Sequence, residues 1–186
     1  MLIFVYTKYR SDYMQKVFIG ILLILLDFHL EFSTGHLGLI PDFIGYFVLL
    51  LGLRQLAEDG PSFKRAIPAA IGIGIYSFFL WVADLFGFAA TQSPMVIFCE
   101  ILSVFLALYV TRLVLEGVGE LASATGEDLH YKKLKIDWYV MAVFQTLSFS
   151  WLFFPALATV CVIISAVDTL LFLFALHKSR RAALAL

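Results

Sequence analysis

Six apolar segments, separated by short polar stretches, constrain this sequence more than any other feature. Hydrophobic residues make up 62% of the chain, whereas soluble domains contain about 45–50%. A surface this apolar requires lipid as its solvent, and an α-helix satisfies its own backbone there. We therefore expect a single all-α transmembrane bundle over residues 1–186, with six helices arranged as three hairpins. The segments are 17–32, 41–57, 66–90, 94–115, 136–154 and 155–176.

The first two segments are shorter than the others. A helix needs about 20 apolar residues, with a range near 17–25, to cross the hydrocarbon core. The last four segments meet this requirement, whereas the first two are short and are separated by the polar stretch 31–42. The alternative arrangement is therefore four spans plus a re-entrant hairpin at 17–57.

Lysine and arginine are confined to one side of the expected bundle. All 13 lie in stretches that alternate crossings place on the same face of the membrane, and the connections on the other face contain none. Because positively charged loops stay in the cytoplasm, we expect a multi-pass cell-membrane protein with both termini inside. Both span counts give this orientation. The basic stretches are 8–16, 54–65, 112–135 and 178–181, and the connections without Lys or Arg are near 33–40, 91–93 and 154–155.

Several function classes find no support in the sequence. The net charge is −1 and no basic face is visible, so we expect no nucleic-acid partner. Cys99 and Cys161 lie in apolar segments without a CxxC pattern, which indicates buried thiols and not a disulfide or zinc site. No G-x-S-x-G, Walker A, GxGxxG or H-E-x-x-H motif occurs. We expect no cofactor and no bound metal.

The longest polar connection is 116–135, which we predict to be a cytoplasmic loop. Thr125 and Asp128 have the spacing of a capping box, and lysines follow at 132, 133 and 135. This pattern predicts a short surface helix that runs into the fifth span. The lysines serve orientation and contact with anionic lipid, and the alternative is a docking surface for a partner subunit.

Two parts of the chain are similar to a known group of proteins. They are Leu39-Ile40-Pro41-Asp42-Phe43-Ile44-Gly45-Tyr46, followed by Gly52-Leu53 and Phe63-Lys64-Arg65-Ala66, and the stretch from Glu120-Leu121-Ala122 to Lys132-Lys133 and Trp138. These segments resemble small, uncharacterised multi-pass membrane proteins of Gram-positive bacteria. The resemblance implies a membrane location and a similar topology, and it supplies no functional residue.

Acidic residues in or beside the apolar segments are the strongest functional signal. A carboxylate in hydrocarbon costs at least about 2.5–3.5 kcal/mol, so these residues require a reason. Helical spacing places several on stripes with other small or polar residues, which predicts a polar cavity that opens outward. The alternative is that protonated acids only form hydrogen bonds between helices. The predicted ligand- or cation-binding residues are Asp27, Asp84, Glu100, Asp168, Ser165 and Gln145, with Ser77, Ser103, Ala107, Ser148 and Cys161 on the same stripes.

A polar cluster of His29, Glu31, His36 and Asp42 lies in the outer connection between the first two segments. On a continuous helix, Asp27 and Glu31 would share a face and His29 would point nearly opposite, which argues against a shared metal ion. Asp42 suits a first helical turn, where a carboxylate favours the helix dipole.

Aromatic residues near the segment ends are predicted to anchor the protein at the lipid–water interface. They are Tyr46, Trp81, Trp138, Tyr139 and Trp151.

Three functions fit these patterns. The leading hypothesis is a small transport-type or substrate-binding membrane module, whose acidic cavity takes a cation or an amine-bearing molecule. The first alternative is an accessory subunit of a membrane complex. The second is a membrane-embedded, metal-dependent enzyme that uses His29, Glu31 or His36.

Overall fold

A computed structural model describes residues 2–25, 29–32, 35–38, 41–87, 93–126 and 129–184, and side chains within 13–25, 41–87, 93–126, 129–150 and 153–181. In these ranges the chain forms six α-helices, a single-turn 3₁₀ helix and one antiparallel β-hairpin. The helices are α1 (Leu2–Leu25), α2 (Asp42–Leu56), α3 (Pro61–Leu85), α4 (Pro94–Thr125), α5 (Tyr131–Ser148) and α6 (Pro155–Leu184). The 3₁₀ helix is Phe149–Leu152, and the hairpin consists of β1 (His29–Phe32) and β2 (Gly35–Gly38).

The helices form a closed ring. Each helix packs on the next one along the chain, and α6 returns to pack on α1. The buried apolar side chains of all six form one continuous core. The predicted all-α bundle is therefore confirmed, apart from the short hairpin between α1 and α2.

Within the part of the chain that the structure describes, three helices are long and apolar enough to cross a membrane, namely Pro61–Leu85, Pro94–Thr125 and Pro155–Arg181. Their exposed residues include many large apolar side chains, such as Phe79 and Phe98, as expected of a surface that faces lipid. Helix α2 has 15 residues and is about 22 Å long. Helix α5 carries three lysines and an aspartate in its first two turns, so neither has the pattern of an independent span.

Close contact between α1 and α2 makes these helices a tightly packed pair. A Cβ atom added to Gly20 would lie 2.5 Å from the backbone nitrogen of Leu49, and one added to Gly52 would lie 2.9 Å from the carbonyl oxygen of Tyr13. Glycine is required at both positions because the two backbones approach each other there.

The first predicted segment, 17–32, is not one helix. Helix α1 ends at Leu25, and residues 29–32 form β1, in which Glu31 pairs with His36 and His29 with Gly38. Gly35 and Gly38, at the two ends of β2, favour a hairpin over a continued helix, because glycine is among the poorest helix formers. The helical phase used above to separate His29 from Glu31 therefore does not apply.

The predicted loop 116–135 is largely helical. Helix α4 continues to Thr125, whose hydroxyl donates to the carbonyl of Leu121 at 2.9 Å. Gly126 then ends the helix in the left-handed conformation, with φ of 71°. The prediction of Thr125 as a helix N-cap was wrong, because Gly126 makes it the last residue of α4. Asp128 lies outside the described residues.

Candidate ligand-binding cavity

A polar cavity of about 160 Å³ lies inside the ring of helices. Side chains from α1, α2, α3, α4 and α5 line it, so it belongs to the bundle as a whole and not to one helix pair. Six of the lining residues carry polar side chains and five are apolar. The lining residues are Asp42, Tyr46, Tyr76, Ser77, Ser103 and Gln145, with Ile24, Leu25, Ile73, Val104 and Ala107.

Two of the cavity hydroxyls share one acceptor. The Tyr76 hydroxyl donates to the carbonyl oxygen of Cys99 at 3.0 Å, across the α3–α4 interface. The Ser103 hydroxyl donates to the same oxygen, also at 3.0 Å. Each hydroxyl has a single proton and two lone pairs. With their protons directed at Cys99, both present acceptor oxygens to other groups.

Helix α2 contributes an acid and a phenol from one face. Asp42 begins the helix and Tyr46 follows one turn later, so their side chains lie on the same side. Tyr46 is 4% exposed. The prediction that Tyr46 anchors the protein at the membrane surface was therefore wrong.

The prediction of interfacial anchoring was also wrong for Trp138. It is buried in the α4–α5 interface, and its indole N–H donates to the hydroxyl of Thr111 at 3.0 Å. Thr111 in turn donates to the carbonyl of Ala107. Ala107 also lines the cavity.

The cavity occupies one half of the bundle, at the end next to the β-hairpin. It lies between the end of α1 and the start of α2, and it meets α5 near its last turn, at Gln145. The opposite half is packed with buried apolar side chains, including Leu56, Phe63 and Leu121.

The predicted polar stripes meet the cavity in part. Gln145 and Asp42 line it, as do Ser77, Ser103 and Ala107. The other described stripe residues are not among the lining residues. Glu100 is exposed, Asp84 and Ser148 are half-buried, and Cys161 and Ser165 are buried on α6.

The remaining predicted residues cannot be assigned to the cavity. Asp27 lies outside the described residues. His29, Glu31 and His36 belong to the hairpin strands, whose backbone register alone is described.

Asp168 of α6 is not among the residues that line the cavity. The charges of Asp168 on α6 and of Lys133 on α5 both act on the carboxyl group of Asp137 on α5. One carboxylate oxygen of each aspartate is buried without a hydrogen-bond partner among the described residues. This pair lies apart from the cavity lining.

A carboxylate also stabilises the start of α3, at the apolar half of the bundle. Glu120 of α4 accepts hydrogen bonds from the backbone N–H of Ser62 at 3.0 Å and from its hydroxyl at 2.6 Å. The first N–H groups of a helix have no partner within the helix, so Glu120 caps α3 from another helix. A Cβ on Gly117 of α4 would lie 2.6 Å from the ring of Phe63 of α3, so the two helices are in close contact at this position.

Sequence reasoning missed Tyr46, Tyr76 and Asp137. The spacing of Asp42 and Tyr46, four residues apart, was an available signal for Tyr46. Tyr76 could have been found in the same way, since it stands next to Ser77 and three residues after buried Ile73. Among the side chains described, no group of three or more His, Cys, Asp or Glu residues has a geometry suited to a metal ion.

Comparisons with protein-family models, with curated proteins and with solved structures found no match to this chain.

Proposed function

We propose that this chain is a small transport-type or substrate-binding membrane protein, and that the cavity inside the helix ring binds a cation or a small amine. The observation that carries the proposal is the convergence of six polar side chains from four helices on one cavity. A pocket in an otherwise apolar bundle with a few convergent polar side chains is typical of a ligand-binding site, where those side chains orient the ligand.

The charge of the lining supports a positively charged ligand. Among the described residues that line the cavity there is one carboxylate, Asp42, and no lysine or arginine. Asp42 lies in the first turn of α2, where a carboxylate interacts favourably with the helix dipole. The remaining polar groups are hydroxyls and one amide, all of which contain an acceptor oxygen.

Orientation is part of the same proposal. The distribution of lysine and arginine supports an orientation with both termini in the cytoplasm, which is the same for six spans and for four spans plus a re-entrant hairpin. In that orientation the cavity lies in the outer half of the bundle, and the apolar core separates it from the cytoplasm. The cavity would then load from outside the cell.

The test is a thermal-unfolding screen of the purified full-length protein against monovalent and divalent cations, small amines and uncharged small solutes. A ligand at about a hundredfold excess over its Kd stabilises the folded state by about 2.7 kcal/mol, or about 5–10 °C in Tm for a chain of this size. Gln145→Leu should abolish the shift, because it removes a polar group from the wall.

The matched control is Thr146→Val. Thr146 is the next residue on α5, but it is exposed and donates to the carbonyl of Ala142. This variant should respond like the natural protein. A screen without any stabilising solute, or a shift that Gln145→Leu leaves intact, would contradict the proposal.

A further inference from the structure

We propose that a groove between α2 and α3, on the outside of the bundle, binds an anionic phospholipid. One acyl chain lies in the groove, and the phosphate of the headgroup lies between Arg54 and Lys64. This site is separate from the inner cavity and does not depend on the proposed function. Its shape, its apolar walls and the charge at one of its ends all point to a lipid.

The groove is an apolar depression of about 380 Å³. Its rims are exposed, with Phe47 of α2 61% and Ile75 of α3 54% accessible. Its floor lies where α2 crosses Gly74, since a Cβ on that glycine would be only 3.2 Å from the Cβ of Tyr46. Among the described residues that line the groove, Tyr46 alone has a polar side-chain atom. The apolar lining includes Phe43, Phe47, Leu50, Ile71, Ile75 and Phe78.

The size of the groove suits a single hydrocarbon chain. A volume of about 380 Å³ corresponds to roughly a dozen groups of the size of a water molecule, at about 30 Å³ each. A helix of another protein is about 10–12 Å wide with its side chains, so it would rest on Phe47 and Ile75 without filling the groove. An acyl chain needs no hydrogen bonds from the walls, in agreement with their composition.

Helical phase continues both walls of the groove to a basic residue. On α2, Arg54 follows Phe47 by seven residues, and on α3, Lys64 precedes Ile71 by seven. A separation of seven residues is close to two full turns, so each basic side chain lies on the same face of its helix as a groove residue.

The antiparallel packing of α2 and α3 brings these two basic residues to the same end of the groove. The rings of Phe43 and Phe78 are 5.3 Å apart, and Tyr46 packs on Gly74. Continuing this pairing along both helices places Arg54 opposite residues 66–67. Lys64 is two or three residues from that level, or about 3–5 Å along the helix axis.

The charges at this end complement a phosphate. Arg54 and Lys64 are both exposed, and neither forms a salt bridge among the described residues. Guanidinium and ammonium groups bind phosphate oxygens, and basic residues between membrane helices bind anionic headgroups. Glu58 follows Arg54 by one turn, on the side away from the groove, so the phosphate lies nearer to the groove than this acid. Arg65 belongs to another surface, which it lines with Glu116 and Glu120.

Native mass spectrometry of the purified full-length protein tests the site. The protein is incubated in detergent with equal amounts of phosphatidylglycerol and phosphatidylcholine that carry the same acyl chains, and the ratio of the retained lipids is measured. We expect phosphatidylglycerol to be retained preferentially. Arg54→Gln combined with Lys64→Gln should lower the ratio by about fivefold for each basic residue removed.

Two matched controls separate this site from general attraction to a basic surface. Lys132→Gln combined with Lys178→Gln removes two exposed lysines from α5 and α6 and should leave the ratio unchanged. Ile71→Trp fills the groove and should reduce the retention of phosphatidylglycerol, whereas Phe174→Trp, on the exposed surface of α6, should not.

Several results would overturn the proposal. One is an unchanged lipid ratio in the variant without Arg54 and Lys64, and another is an equal loss in the lysine control. Displacement of phosphatidylglycerol by soluble glycerol phosphate would indicate a site for free phosphate instead of a lipid. A dimer that dissociates in Ile71→Trp, with the lipid ratio unchanged, would assign the groove to a second copy of the chain.

Discussion

At the scale of single residues, a few buried hydrogen bonds connect helices that are otherwise held by apolar packing. The bond from Trp138 to Thr111 joins α5 to α4, and the two bonds from Ser62 to Glu120 join α3 to α4. A buried polar group that loses its partner costs more than the bond itself contributes. Mutations that remove one partner of such a bond should therefore lower the free energy of unfolding clearly.

The Trp138–Thr111 bond can be tested by a double-mutant cycle. Thr111→Val leaves the indole N–H buried without an acceptor and should lower the free energy of unfolding by about 1–3 kcal/mol. In the double variant with Trp138→Phe, the destabilisation should be smaller than the sum of the two single effects. Equilibrium unfolding in mixed micelles measures all three variants. Strict additivity would show that the bond contributes nothing.

The cap on α3 predicts a contrast between two glutamates on α4. Glu120→Ala removes both acceptors for Ser62, and we expect a loss of about 1–2 kcal/mol of unfolding free energy. Glu116→Ala removes only an exposed ion pair with Arg112, at 3.0 Å, and should cost less than about 0.5 kcal/mol. The same unfolding assay compares them, and equal effects would contradict the capping role of Glu120.

At the scale of helices, glycine determines how closely α1 and α2 approach. A methyl group at position 52 would meet Val17 and the backbone of Tyr13 within 3 Å, whereas one at position 72 would meet nothing within 4 Å. Gly52→Ala should therefore destabilise the protein by about 1–3 kcal/mol. Gly72→Ala should be neutral or stabilising by up to about 1 kcal/mol. Similar melting temperatures for the two variants would contradict the close contact.

How well the sequence predicts the bounds of a helix depends on the residues at which the helix begins and ends. Helix α4 begins at Pro94 as predicted, because proline suits a first helical turn. Its end was predicted at residue 115, where apolar residues stop, yet the helix continues until Gly126 adopts the left-handed conformation. Apolar composition predicts the part of a helix that suits lipid, and it does not detect a polar extension beyond it.

The site was less predictable than the helices for a related reason. Helical phase relates residues on one helix, so it correctly put Ser103 and Ala107 on one stripe. It does not determine which face of α4 turns towards α3, and Glu100, placed on the same stripe, is exposed. Tyr76 reaches the cavity through a bond to Cys99 on a neighbouring helix, which no pattern within a single helix specifies.

At the scale of the whole molecule, orientation follows from charge and can be tested by labelling. In a variant without native cysteines, Gln92→Cys should react with a membrane-impermeant maleimide in intact cells. Thr125→Cys, at the end of α4, should react only after the cells are permeabilised, because the basic stretches are expected inside. Outside labelling of Thr125→Cys would reverse the proposed orientation.

The central claim is that a cation-selective cavity inside the bundle is reached from outside the cell. The most direct measurement uses Ser77→Cys, a lining position, in a variant with Cys99 and Cys161 replaced by alanine. Intact cells are treated with two thiosulfonate reagents of similar size and opposite charge. We predict faster modification by the cationic reagent, and protection by any cation or amine that raises the Tm of the natural protein. Equal rates for both reagents without protection, or modification only after permeabilisation, would contradict the account.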